Sequence, residues 1–203
     1  MKKISLKESL LSFLFFVSFL YITFFVPMSF SIYNPGWFKF VCNFHDRCEK
    51  RGLEESHKAI DQLTGYFFHQ NELDLKWTKK EKLHLKEVRV MFDKLVKTFL
   101  VMLLIFFITF NLKRLKRFSL INFFIILSFL VVIPFFKTFW RDIFHPLLFN
   151  NKLWLNNRFD FSYWIMPRKF FQITVGFIII SSALINFMAS LASRNFLKRV
   201  SKN

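Results

Sequence analysis

Glycine is scarce in this chain: four residues in 203. That leaves no glycine-rich loop to cradle a phosphate, and neither a P-loop nor a dinucleotide-binding fingerprint occurs. The Gly-x-Ser-x-Gly turn that presents a nucleophilic serine is absent too. Acidic residues are also few, 13 against 30 lysines and arginines, and there are only two cysteines. A net charge of +17 on such a chain raises the question of nucleic acid. The placement of the charge answers it differently, because the basic residues cluster beside long uncharged runs.

What the chain has in excess is apolar surface. Hydrophobic residues make up 54% of it and phenylalanine alone occurs 33 times. Residues 10–32 carry no charge and, at 1.5 Å per residue, reach about 34 Å, enough to cross a hydrocarbon core. The run is too long for a signal peptide and lacks a small-residue cleavage site, so an uncleaved first span is expected. Further spans are expected over 95–112, 118–136 and 170–193. Lys97 would snorkel and Pro134 would kink the third span near its outer end. Small and polar residues in the fourth, Gly176, Ser182, Ala183, Asn186, Ala189 and Ser190, suit close helix packing. The fold class is therefore an all-α membrane protein, one membrane domain of four helices over residues 1–203.

Orientation follows from the basic residues that flank the spans. The N-terminus, the 113–117 loop and the C-terminus hold eleven Lys/Arg against one acid, Glu8. Residues 34–94 hold twelve against ten acids, and 140–170 five against two. This bias predicts cytoplasmic termini in a cell membrane, with outward loops over 33–94 and 137–169 forming a helical, aromatic cap. The excess charge thus has a topological explanation, and no nucleic-acid partner is expected. Within the first loop, Ile60, Leu63 and Phe67 recur at helical spacing. Residues 53–67 therefore read as an amphipathic helix that lies on the membrane or caps the bundle.

Cys42 and Cys48 fall in an outward loop, where oxidising conditions favour a disulfide. With His45 they can also be read as three metal ligands, though no fourth is apparent. No metal and no cofactor are expected. His45, His57 and His69 read as surface residues. Thr78 and Glu81 form a capping box that opens a long helix. On it, His84 stands between Glu81 and Glu87, one turn away on each side. His145 follows Asp142 by three residues, and in a helical turn that carboxylate would orient its ring. Two outward histidines with nearby carboxylates make a candidate acid–base pair. A solvated, salt-bridging helix face is the plain alternative.

Two stretches carry a resemblance. Residues 77–92 are similar to a Glu-x-x-His-x-x-acid-Val-base-x-x-Phe segment, here Glu81, His84, Glu87, Val88, Arg89 and Phe92. Residues 144–155 resemble a Phe-His-x-x-Phe-Phe-x-Asn-x-x-Trp segment, here Phe144, His145, Phe149, Asn151 and Trp154. Asp160, Pro167 and Phe170-Phe171 continue it, and the resemblance covers about half the chain. Both segments look like those of the lipoprotein intramolecular transacylase (Lit) family of small four-span bacterial membrane proteins. The resemblance implies movement of an acyl chain from the diacylglyceryl group of a lipoprotein to the α-amino group of its N-terminal cysteine. Diacylglyceryl lipoproteins and membrane lipid are then the partners, with the active face outside the cytoplasm. It puts the catalytic histidines at His84 and His145, the first oriented by Glu81 or Glu87. Arg89 or Asn151 would stabilise the oxyanion, and Trp154 would contact substrate. Two positions depart from the pattern. Pro146 stands where histidine is frequent, and Arg168 stands where the family has Glu, inverting a charge near the proposed site. A lipid-ester hydrolase using the same histidines, or a scaffold binding a partner through its loops, would share these features.

One geometric demand remains. His84 precedes Leu95 by eleven residues, about 16 Å along a helix. Reaching a lipid ester requires the helix to tilt or sit low, with His84 and His145 brought together in a polar recess.

Overall fold

The computed structural model describes residues 5–201, and every element among them is helical. Lys2, Lys3 and Lys202, counted above toward orientation, lie outside the described residues. The chain divides into two compact units, which several helices enter in turn.

Among the described residues, the first unit comprises 5–28, 95–130 and 177–201. It holds most of helix α1 (Leu6–Tyr33), the C-terminal half of a long helix spanning Lys79–Thr109, helix Leu112–Ser128 and most of helix Arg168–Val200. Phenylalanine rings lock it: Phe15 and Phe19 lie 5.4 and 5.7 Å from Phe106, and Phe25 lies 4.6 Å from Phe99. Ser182, Ala183, Asn186, Ser190 and Ser193 recur every three or four residues and are buried, the small-residue stripe that lets helices approach. The Asn186 amide donates to Thr23 Oγ1 at 2.8 Å and to the Ser182 carbonyl at 2.9 Å. The opposite faces are bare and apolar, as at Leu104 (61% exposed) and Ile108 (70%).

Among the described residues, three helices are long and apolar enough to cross a membrane: Leu6–Tyr33, Leu112–Val132 and Arg168–Val200. The 95–112 stretch differs from expectation. Its helix ends at Thr109, and Asn111 opens the next helix by accepting from the Lys113 N–H at 2.9 Å. The third run ends at Val132, in a 3₁₀ turn just before Pro134, rather than passing through a kinked proline.

The second unit comprises 29–94 and 131–176. After α1 come α2 (Pro35–Cys42), α3 (Arg47–Arg51), α4 (Leu53–Phe67) and α5, the helix Lys79–Thr109 that both units share. Next is α6, the helix Leu112–Ser128 of the first unit, followed by α7 (Phe136–Thr138), a π-helical segment Phe139–Phe144 and α8 (His145–Leu148). Last are α9 (Phe161–Ile165) and α10, the helix Arg168–Val200. The amphipathic face read from 53–67 is real. α4 buries Ala59, Ile60, Leu63, Tyr66 and Phe67 in a core with Phe38, Val41, Phe161 and Ile165. Gly52, at φ +103°, makes the reversal between α3 and α4, a conformation that L side chains rarely adopt.

The capping box forms as spaced: the Thr78 N–H donates to Glu81 Oε2 at 3.0 Å, and the Glu81 N–H to Thr78 Oγ1 at 3.3 Å. It does more than cap. Glu81 is 1% exposed, and its Oε1 accepts from both the N–H and the hydroxyl of Ser162, each at 2.7 Å. Asp160, equally buried, accepts from Lys80 Nζ at 2.6 Å, Thr78 Oγ1 at 2.8 Å and the Asn157 N–H at 2.7 Å. These bonds tie the start of α5 to the α9 segment and fix the register of the turns that follow.

Candidate active site

His84 is one turn past that anchor. Its Nδ1 lies 3.5 Å from Glu87 Oε2, and neither atom has another hydrogen-bond partner although both are buried. The separation is long for a hydrogen bond but well within ion-pair range. Glu87 is itself held: Asn151 Nδ2 donates to its Oε1 at 2.7 Å, across 64 residues of sequence. Asn151 is anchored in turn, its Oδ1 accepting from the Leu153 N–H at 3.0 Å and its carbonyl from Trp154 Nε1 at 2.9 Å.

His145 arrives from the π-helical segment. The widened turn sends the His145 N–H to the Trp140 carbonyl, five residues back. The same carbonyl lies 2.6 Å from His145 Nδ1. A carbonyl can only accept, so Nδ1 carries the hydrogen and Nε2 keeps its lone pair. Trp154 stacks on the ring at 4.4 Å and Trp140 meets it edge-on at 4.8 Å. Phe149 links the two histidines, its ring 4.8 Å from His84 and 6.0 Å from His145.

Burial in this aromatic pocket lowers both imidazole pKa values. For His84, burial outweighs the nearby Glu87 carboxylate, and the charges of His145 and Lys80 act with it. For His145, burial outweighs the Trp140 carbonyl. Both rings are therefore neutral bases at neutral pH.

Several expected roles are redistributed. Glu81 does not orient His84; its oxygens go to Thr78 and Ser162. Asp142 is exposed and sits 3.8 Å from Arg141, while a backbone carbonyl orients His145 in its place, because the π turn changes which groups face the ring. Arg89 lies 3.9 Å over the Tyr66 ring and 4.0 Å from Glu72. Asn151 holds Glu87. Arg168 lines a cavity with His45 rather than with the two site histidines. Cys42 and Cys48 are joined in a disulfide, so neither sulfur is a thiolate available to a metal. His69 pairs with Asp93 at 2.9 Å. The Trp140 carbonyl and the Glu87–Asn151 bond had no local signal in the sequence. Phe149 stands in the motif without a role, and Asn151, expected at the oxyanion, instead bonds Glu87.

A helical fold whose two largely buried histidines lie against one phenylalanine ring, one beside a carboxylate and the other on a backbone carbonyl, defines the class. The family described as lipoprotein intramolecular transacylase Lit matches residues 12–171, and the chain belongs to that family. It is an acyltransferase-type enzyme and a multi-pass membrane protein. Its fold is similar to that of the membrane integral lipoprotein intramolecular transacylase Lit from Bacillus cereus. The TM-score is 0.86 at 18% identity, over 96% of this chain and 98% of that one. A form of that protein with one histidine replaced by alanine matches at TM-score 0.80 and 19% identity, over 96% of each chain. Its arginine counterpart matches at the same score and identity, over 96% of this chain and 93% of that one. Comparison with curated proteins finds no match.

Proposed function

We propose that the protein transfers an acyl chain from the diacylglyceryl group of a lipoprotein to the α-amino group of its N-terminal cysteine, with His84 and His145 as proton carriers. The observation that carries this reading is the placement of both imidazoles against Phe149, one backed by Glu87 and the other held by the Trp140 carbonyl.

The amine nitrogen attacks the ester carbonyl carbon. His84 Nε2 takes the amine proton as the C–N bond forms, and Glu87 stabilises the resulting imidazolium. When the tetrahedral intermediate collapses, the C–O bond breaks; the proton taken up by His84 passes to the lone pair of His145 Nε2 and from there to the departing glyceryl oxygen. The products are an N-acyl amide and a glyceryl hydroxyl, and both histidines return to neutral. An α-ammonium titrates near 7.7–8.0, so a neutral imidazole is also suited to releasing the free amine. Holding amine and ester of one molecule together supplies further rate without a serine or cysteine nucleophile. Trp154 and Phe149 form the aromatic wall against which the acyl chain rests, and Glu87 and Asn151 act as positioning residues.

The same reading sets the protein in the cell membrane as one membrane domain, with both termini cytoplasmic and the histidines on the outer face. The apolar end of α5, with Leu100, Leu104, Phe107 and Ile108 all at least 60% exposed, serves as the fourth span beside the three longer ones. α5 then tilts or sits low enough for His84 to reach the ester. The test is expression in a bacterium whose lipoproteins are diacylated with a free amine, followed by mass spectrometry of one N-terminal lipopeptide. An N-acyl, S-monoacylglyceryl product supports transfer. Released fatty acid with a free amine would point to hydrolysis.

A further inference from the structure

Away from the histidine pair, the second unit contains a cavity of about 500 Å³ lined by His45, Asp46, Arg47, Arg168, Lys169 and Gln172. None of these residues serves His84 or His145. Three permanent cations face one carboxylate, and Asp46 is already paired with Lys50. Arg168 and Lys169 are exposed and have no acidic partner among the described residues. Arg47 is fixed without being neutralised: its Nη1 donates to the Tyr163 carbonyl at 2.8 Å and its guanidinium lies 3.9 Å over the Tyr163 ring. Both ring nitrogens of His45 are buried without a hydrogen-bond partner. A cluster of cations without carboxylate partners beside an unsatisfied polar ring suits an anion with several acceptor oxygens.

The place in the fold narrows the anion. Arg168 is the first residue of α10, one of the helices long and apolar enough to cross a membrane. The end of such a helix lies at the level of lipid headgroups. The Phe170 N–H is taken by the Pro167 carbonyl at 2.9 Å, and the N–H groups before it in the first turn add donors. We infer that this cavity is a phosphate-binding site, filled by the phosphodiester of an anionic membrane lipid or by free phosphate. Arg168 and Lys169 supply its charge, Arg47 fixes its wall, and Gln172 and His45 offer neutral polar atoms.

Native mass spectrometry of the full chain in detergent tests this with three probes: phosphatidylglycerol, diacylglycerol of the same acyl chains, and inorganic phosphate. Phosphatidylglycerol should be retained about tenfold better than diacylglycerol, as loss of charge-assisted bonds to phosphate implies. The preference should fade with added salt. The double variant Arg168→Glu, Lys169→Glu should abolish it, and Arg168→Lys should keep most of it. Arg168→Gln gives a milder loss and serves if the double reversal does not fold. Displacement of the lipid by inorganic phosphate at matching concentration identifies free phosphate as the ligand, and failure to displace it identifies the lipid. His84→Ala should bind phosphatidylglycerol as the unaltered chain does, so the outcome is separate from that of acyl transfer. Equal retention of phosphatidylglycerol and diacylglycerol, unchanged by any Arg168 substitution and with no phosphate bound, would overturn the inference.

Discussion

At the scale of single residues, the proposed mechanism rests on two imidazoles kept neutral. A free histidine titrates near 6.5, and both rings here sit below that because burial penalises the cation. The working form of each is the base, so lowering the pKa postpones its loss to more acidic pH. The acid limb of the pH–rate profile should therefore fall below pH 6.5. The rise between about 7 and 8 should follow the substrate amine. Rates measured across pH 5–9 on one lipopeptide check this, and an enzyme limb at or above 6.5 would contradict it. Glu87→Gln removes the carboxylate that favours the imidazolium. The rate should drop by about 10²-fold or more, and the acid limb should move further down.

At the scale of elements, two glutamates six residues apart on α5 have opposite duties. Glu81 stitches the helix start to the α9 segment, and Glu87 faces the imidazole. Glu81→Gln leaves at least one buried donor unsatisfied and should cost about 1–3 kcal/mol of stability. It should leave the rate per folded molecule nearly intact. Glu87→Gln should show the reverse: near-normal melting and poor turnover. Thermal melts in detergent paired with active-fraction counts separate the two, and similar behaviour of both variants would undo the division of labour.

The two glutamates also show what a sequence can carry. The Thr78–Glu81 box and the apolar face of 53–67 are written in spacings of three and four, so local rules find them. The histidine at 84 is found by its motif. That Glu81 turns to Ser162 and that Asn151 reaches Glu87 depend on contacts 81 and 64 residues apart, which no local pattern encodes. The π turn is harder still. It shifts the acceptor for His145 from the Asp142 carboxylate to the Trp140 carbonyl, and nothing in the residues Phe139–Phe144 announces the extra width.

At the scale of the molecule, the proposed topology rests on charge asymmetry and exposed apolar faces together. Among the described residues, three helices are long and apolar enough by themselves. The proposed fourth crossing would use the short, exposed apolar end of α5. Single cysteines introduced at Lys116 and Asn156, in a background with Cys42 and Cys48 replaced by serine, should label differently with a membrane-impermeant maleimide. Asn156 should label in intact cells, and Lys116 only after lysis. Labelling of both from outside would contradict four crossings with cytoplasmic termini.

The most direct measurement is lipopeptide mass spectrometry on membranes carrying His84→Ala, His145→Ala or the unaltered chain, with protein levels matched by blotting. General acid–base help is worth about 10²–10⁴-fold, so each substitution should cut N-acyl product by at least about a hundredfold while the diacyl substrate persists. Full N-acylation by both variants would contradict histidine catalysis and return the pair to a packing role.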